Sequence, residues 1–355
     1  MSRRLTVLSI AYPFAPVGPD AVGGAEQILS AIDYALHDAG HCSLVVACEG
    51  STIAGTLLPI PRFAGGVIEQ ADRDRAHDTI RHATDAAMRR YDIDLIHLHG
   101  IDFPAYLPPL GRPVLITLHL PPGWYPQDAL RLHRPETWLH CVSASQDAAL
   151  RAIAGHPGIL PAIPNGIAVD RFMGDLRGRR GFALTLGRIC PEKGQHLALE
   201  AAKLANVPLL LAGEVFPYAV HKAYFEAEVA PGLGAGGHWI GPVGFTRKRR
   251  LLSAARCVLI PSLAPETSSL VAMEAIASGT PVIAFNSGAL PDTVQHGVTG
   301  FIVNDAAEMA TAIRRSGEID PSTCRRIARE RFSAEAMTKA YLARYRTLAA
   351  AMAPA

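Results

Sequence analysis

Short runs of apolar, often β-branched residues alternate along the chain with longer stretches in which apolar side chains recur every three or four positions. "LTVLSIA" (5–11) reads as a buried strand. "GGAEQILSAIDYALHDAG" (23–40) then places Ala25, Ile28, Leu29, Ile32 and Leu36 on one helical face, and Gly40 supplies the stop. "CSLVVAC" (42–48), "IDLIHLH" (93–99), "PVLITLH" (113–119) and "WLHCVSA" (138–144) continue the strands. These runs are nearly continuous in hydrophobicity, as expected of a parallel sheet covered on both faces. Over 164–181, "PNGIAVDRFMGDLRGRRG" is rich in Gly, Arg and turn formers and reads as a linker. The same grammar restarts with "FALTLGR" (182–188), a helix near 194–205, "VPLLLAGE" (207–214), "HWIGPV" (238–243), "ARCVLIPS" (255–262) and "PVIAF" (281–285). Past 302 the pattern turns helical, and "AEAMTKAYLARYRTLAA" (334–350) is one long terminal helix. The expected organisation is an α/β domain over 1–165, a linker over 166–180, a second α/β domain over 181–332 and a closing helical segment, 333–355.

Composition agrees with two cores. The 355 residues are 49% hydrophobic, enough for roughly two domains of about 150 residues each. Thirty-four Lys and Arg against 32 Asp and Glu leave a formal charge of +2. That balance argues against a general nucleic-acid binder and makes any attraction for anions local. The six cysteines form no C-x-x-C pair and several sit in apolar runs, which suggests reduced thiols in a cytosolic protein. "MSRRLTVLSIAYPFA" imitates a signal peptide, but its apolar run is short and a turn and helix follow, so it reads as a first strand. No apolar run approaches the ~20 residues needed to cross a bilayer, so the expectation is a soluble or at most peripheral protein.

Three stretches carry candidate chemistry. In "LAPETSSLVAMEAIASGTPVIAFNSGALPD" (263–292), a helix from about 268 to 278 puts Glu274 on the face that packs. A buried carboxylate without partners costs several kcal/mol, so it needs a buried salt bridge, a kinked helix that lets it out, or a ligand, and the hydroxyl pair of a ribose fits. In "GRICPEKG" (187–194) a strand ends at a glycine, and Arg188 and Lys193 bracket a turn that opens a helix. Backbone N–H groups, the helix dipole and two cations make a phosphate site there, although a lysine at a helix start is usually just solvated. In "VGGAEQ" (22–27), Gly23 and Gly24 permit close approach of backbone to a ligand or simply make a turn.

Taken together the chain resembles the family 4 retaining glycosyltransferases, whose GT-B fold has two Rossmann-like domains facing across a cleft. The resemblance spans nearly the whole sequence: Gly23-Gly24, "DLIHLHG", "ITLH", "PNGI" with "DRF", "GRICPEKG", "LAGE", "IPS", "ETSSLVAMEAIASGTPVIA" and "DTVQHGVTGFIV". It implies an N-terminal acceptor-binding domain, a C-terminal nucleotide-sugar-binding domain and a terminal helix that returns to the first domain. It also implies that Arg188 and Lys193 hold the donor's diphosphate, that Glu274 takes the ribose hydroxyls and that Glu266 contacts the transferred sugar. Gly23 and Gly24 would approach the donor from the first domain, and His119 would lie beside the anomeric centre. Ser269 and Leu270 would line the donor, with Gly288 and Ala289 in a loop (286–290) that offers it backbone N–H groups. Ser268-Ser269 stands where the family often has Phe-Gly, Ser287-Gly288 where it has Gly-Gly, and Asp292 where Glu is common, which puts the donor sugar in doubt.

The implied reaction moves a hexose-type sugar from a nucleotide diphosphate-sugar, UDP-linked by expectation, to a small-molecule, glycan or lipid-linked hydroxyl. The nucleotide-sugar is a co-substrate; no cofactor and no metal are expected. "DID" (92–94) mimics a metal-binding D-x-D but precedes a buried strand. His97 and His99 alternate with apolar residues and are expected on opposite faces of the sheet, against a shared metal. Trp124, Tyr125 and His133 lie in a loop rich in aromatic, His and Pro residues; they could stack on an acceptor or merely pack the loop. "TRKRR" (246–250) reads as the opening of a solvated helix rather than a lipid contact. Two other readings stay open: a sugar-nucleotide 2-epimerase of the same fold, and a nucleotide-sugar-binding protein without turnover.

Overall fold

A computed structural model describes residues 3–131, 134–154, 158–174, 181–234 and 236–351. The chain divides into two compact units, one formed by Met1–Pro164 with Glu335–Ala355, the other by Asn165–Ala334. The first holds a parallel sheet of β1 (Thr6–Ile10), β2 (Cys42–Cys48), β3 (Thr56–Ile60), β4 (Leu95–Leu98), β5 (Val114–Leu118) and β6 (Thr137–Cys141), in the order β3-β2-β1-β4-β5-β6. The second holds β7 (Ala183–Leu186), β8 (Leu209–Ala212), β9 (Gly237–Trp239), β10 (Cys257–Ile260), β11 (Val282–Phe285) and β12 (Gly300–Val303), in the order β12-β11-β10-β7-β8-β9. Renumbered from its own first strand, the second sheet has the same order as the first, the order of the Rossmann fold. In each sheet the order in which strands are added reverses at one seam between parallel strands, β1/β4 in the first unit and β7/β10 in the second.

The near-continuous apolar runs are buried on both faces. Leu8, Ile10, Leu44, Val46, Ile96, Leu98, Val114 and Ile116 all belong to one core of the first unit, and each such side chain contributes roughly 1.5–3 kcal/mol on burial. The helix Gly24–Asp38 ends where Gly40 takes φ +76°, a left-handed conformation that glycine adopts without a Cβ clash. Two edge strands went unread in the sequence. β3 contains Pro59, which a central strand would exclude and an edge strand tolerates. β12, Gly300–Val303, opens on a glycine and directly precedes the helical pattern that follows. All six cysteines are free thiols. The "DID" carboxylates hold the fold: Asp94 accepts the Thr6 N–H (2.8 Å) and pairs with Arg3, while Asp92 lies 3.1 Å from Arg112. No helix among the described residues is long and apolar enough to cross a membrane.

The terminal helix, Ala334–Ala350, buries Met337, Tyr341, Tyr345 and Leu348 and packs on the first unit. There it meets a histidine cluster that overturns one expectation. His97 and His99 do not face opposite sides of the sheet; residues two apart along a strand share a face, and their ring centroids are 3.9 Å apart. Hydrogen bonds join His119 Nε2 to His99 Nδ1 (3.0 Å), His99 Nε2 to His97 Nδ1 (3.1 Å), His97 Nε2 to Thr117 (2.6 Å) and Thr117 to His140 Nε2 (2.7 Å). The Tyr345 hydroxyl also reaches His97 Nδ1, at 2.7 Å. The chain of bonds ends with His140 Nδ1 at the Cys141 carbonyl, 3.0 Å away. A carbonyl only accepts, so His140 carries its proton on Nδ1, Thr117 donates to its Nε2, and His97, His99 and His119 each donate from Nε2.

Burial pushes His140 down to about 3 and holds His97 and His99 well below the ordinary imidazole range, so the core histidines are neutral in the fold. In the unfolded chain they titrate near 6.5. Below that pH the unfolded chain takes up protons that the folded unit refuses, and stability falls with falling pH. The first unit is therefore expected to lose up to about 1.4 kcal/mol per pH unit below 6.5 for each histidine that stays neutral. Thermal melts between pH 7.5 and 5 measure it; a flat profile would contradict a neutral cluster.

Candidate functional site

In open parallel sheets of this order, ligands bind beyond the C-terminal ends of the strands at the seam where the order reverses. In the second unit that seam lies between β7 and β10. β7 runs into Gly187 and Arg188, and β10 runs into the segment 261–266 that ends at Glu266. The turn after β7 is built tightly. Gly187 has φ +130°, and a Cβ on Gly213, which follows β8, would collide with the Gly187 carbonyl, so glycines at both places let the two loops close together. Gln195 Nε2 donates to the Arg188 carbonyl at 2.7 Å, and the Arg188 guanidinium lies 5.5 Å from the Phe216 ring centroid. A single 3-10 turn, Pro191–Lys193, leads through left-handed Gly194 into the helix Gln195–Ala205.

This turn is tied to the segment after β10. The Glu192 carbonyl accepts the N–H groups of Leu263 (2.9 Å) and Ala264 (3.2 Å), and the Lys193 ammonium lies 2.5 Å from Glu266 Oε1. Ser262 donates its hydroxyl to the same carboxylate oxygen. The Glu266 side chain is 10% exposed and that of Lys193 33%, so the pair is half-sheltered and still open to a ligand. The loop after β11 completes the frame: the Ala289 N–H donates to the Glu266 carbonyl at 2.7 Å, and the Ser287 hydroxyl to the Ala264 carbonyl at 2.9 Å. The sequence reading expected the N–H groups of this loop to face a donor. Those of Asn286, Ser287, Ala289 and Leu290 are instead engaged by Val303, Phe285, Glu266 and Ser287 carbonyls, so the loop positions Glu266. Gly288 has φ +56°, and a Cβ there would strike the Glu266 backbone. Gly288→Ala is expected to cost about 1–3 kcal/mol from the left-handed backbone alone and to displace Glu266; thermal melts and transfer assays of the variant read both effects.

Ser269 caps the helix Leu270–Ala277 by accepting the Ala272 N–H, and Leu270 is buried at its start. Glu274 sits in that helix, its side chain 2% exposed, as the spacing predicted. A buried salt bridge is one of the completions that the sequence leaves open, beside the hydroxyl pair of a ribose. The structure supplies a partner from the protein: Lys248 Nζ lies 2.6 Å from Glu274 Oε1 and 5.5 Å from the Phe172 ring centroid. Lys248 belongs to "TRKRR", which forms part of the helix Phe245–Ala254. Only the fold brings it to Glu274.

In the first unit, Gly23 is the N-cap and Gly24 the first residue of the helix that follows β1. The Glu26 carboxylate folds back over Gly23, where a Cβ would collide with it. Glu26 is buried and its role went unread in the sequence. His119 follows β5 and is half-buried at the outer end of the histidine chain. Tyr125 is not a stacking platform: it is 4% exposed, and its hydroxyl accepts the N–H groups of His119 (3.1 Å) and Leu120 (3.3 Å). Its ring is consumed by the core and its hydroxyl by the turn that presents His119. Trp124 is 42% exposed, and His133 lies outside the described residues.

Two six-stranded parallel sheets of Rossmann order in one chain define the GT-B class. The fold matches sucrose-phosphate synthase from Thermosynechococcus elongatus with a TM-score of 0.77 at 22% identity, over 98% of this chain and 100% of that one. It matches AviGT4, a glycosyltransferase involved in avilamycin A biosynthesis, with a TM-score of 0.71 at 23% identity, over 98% of both chains. Residues 181–317 match the family model described as glycosyl transferases group 1. In sequence it is 34% identical over 205 residues to D-inositol 3-phosphate glycosyltransferase of Mycobacterium marinum, covering 54% of this chain and 44% of that protein. The Mycobacterium tuberculosis counterpart is 33% identical over 228 residues, 57% of this chain and 47% of that protein. The match spans less than half the length of these curated relatives.

Proposed function

We propose that the chain is a retaining glycosyltransferase that moves a hexose-type sugar from a UDP-sugar to a hydroxyl acceptor. The observation that carries this reading is the Lys193–Glu266 pair at the C-terminal ends of the two seam strands, with Arg188 on the same turn as Lys193. Cations there match a diphosphate, and a carboxylate beside them matches sugar hydroxyls. The family match over residues 181–317 and the Anabaena protein HepE, a fold neighbour solved in complex with UDP-glucose (20% identity, TM-score 0.72), support a UDP-sugar donor.

Charge grows on the leaving diphosphate as the bond to the anomeric carbon breaks. Arg188 and Lys193 stabilise that charge, and Glu266 accepts hydrogen bonds from the sugar. Glu274, held by Lys248, is assigned to the ribose through its remaining lone pairs. No carboxylate is assigned as a covalent nucleophile; the acceptor hydroxyl attacks on the face the diphosphate leaves, and its proton passes to a departing phosphate oxygen. The donor is assigned to the C-terminal unit. His119 is assigned to the sugar, and Trp124 to a small-molecule, glycan or lipid-linked acceptor, in the N-terminal unit. A thermal-shift panel of UDP-, GDP-, ADP- and dTDP-sugars tests the donor, since a ligand of the native state alone raises the melting point. A shift with UDP-sugars and UDP release on adding an acceptor are expected. No shift with any nucleotide sugar would overturn the reading, and a new sugar nucleotide formed without acceptor would replace it with an epimerase.

A further inference from the structure

We infer that Cys190, Glu192 and His221 form a binding site for a thiolate-preferring divalent cation, of which zinc fits best. The sulfur, one carboxylate oxygen and one imidazole nitrogen of these residues all lie within 4.8 Å of one another. They come from two loops at the ends of adjacent strands: Cys190 and Glu192 from the turn after β7, His221 from the helix Ala219–Tyr224 after β8. The close approach of Gly187 and Gly213 brings those loops together. Cys190 is 2% exposed and His221 6%. His221 Nδ1 is also buried with no hydrogen-bond partner among the described residues, and leaving such a group unsatisfied costs about 1–3 kcal/mol.

The chemistry selects the ion. Sulfur with imidazole favours zinc over magnesium or calcium, which take oxygen ligands. Tetrahedral zinc with sulfur at 2.3 Å and nitrogen near 2.0 Å sets these ligand atoms roughly 3.5 Å apart, so the side chains need only close inward by about an ångström. Before metal binds, the thiol donates to the Arg188 carbonyl at 3.9 Å, and burial pushes it up to about 11, so the sulfur keeps its proton at neutral pH. Binding exchanges that proton for the metal: the S–H bond breaks, a metal–sulfur bond forms and one proton goes to solvent. The three ligands fill part of a four-coordinate shell and leave a position for water. The site lies inside the turn bracketed by Arg188 and Lys193, so a bound ion would brace that turn. The inference does not require that the turn bind a donor.

The test uses the full chain, stripped of metal by a chelator and titrated with zinc against a chromophoric competitor, and separately with cobalt(II). One equivalent of zinc per chain and a thiolate-to-cobalt absorption band are expected. Cys190→Ser and His221→Ala should each weaken zinc binding at least tenfold and Cys190→Ser should abolish the band, while Cys42→Ser should leave both unchanged. Glu192→Gln, on the half-exposed turn, is a variant without a core cavity and should weaken binding in a fully folded protein. A cobalt spectrum without the thiolate band, or zinc binding unchanged in Cys190→Ser or Glu192→Gln, would overturn the site.

Discussion

Replacing Lys248 with methionine is expected to destabilise the C-terminal unit by about 3–5 kcal/mol, because it removes the ammonium and leaves the Glu274 carboxylate charged and buried. The pair lies at 2.6 Å with side chains 13% and 2% exposed, so water cannot substitute for the lost partner. For a unit of this size such a loss lowers the melting temperature by roughly 6–20 °C. Replacing both partners, Lys248→Met with Glu274→Leu, should recover most of the stability, since two apolar groups of similar volume avoid the cost of burying charge. Calorimetric melts of the two variants decide it. If the single variant melted with the wild type, Glu274 would be held by something other than Lys248. The double variant should stay stable while losing affinity for a UDP-sugar, which separates the structural part of Glu274 from its proposed part at the ribose.

Arg188→Ala and Lys193→Ala are each expected to lower kcat/KM by about 10²–10³, or roughly 2.7–4 kcal/mol of transition-state stabilisation. Arg188 and Lys193 are half-buried on a surface turn, so their removal should leave the melting temperature within a few degrees of the wild type. Lys193 also holds Glu266 at 2.5 Å. Its loss frees one side of that carboxylate, leaving the Ser262 hydroxyl as the remaining tether. Lys193→Ala is therefore expected to raise KM and lower kcat together. UDP release measured across donor concentrations shows the split, and unchanged kcat/KM in both variants would remove the diphosphate from this turn.

Most strands were legible because burial on both faces writes an apolar run that survives without knowledge of the partners. β2 (Cys42–Cys48) and the terminal helix Ala334–Ala350 occupy the residues that the pattern indicated. β3 and β12 were not legible, one broken by Pro59 and one opening on Gly300 against the helical pattern that follows. Of the site, the Arg188–Lys193 turn and both glutamates could be found locally, because glycine, cation and helix start fall within a few residues. Lys248 could not, since its charge among "TRKRR" is ordinary until the fold sets it against Glu274. The histidines failed for a simpler reason: a two-residue strand period places His97 and His99 on one face, and reading it otherwise hid a buried hydrogen-bonded chain leading from His119 to the Cys141 carbonyl.

The latch between the loops after β10 and β11 has a bearing on how this scaffold can be re-engineered. Glu266 is gripped at its carbonyl by Ala289 and crowded by Gly288, so neither loop has an independent shape. Grafting a foreign 286–290 loop to change sugar preference would drag the carboxylate out of register. Residues 261–266 and 286–290 form one exchangeable cassette, and recombination libraries should cut outside both.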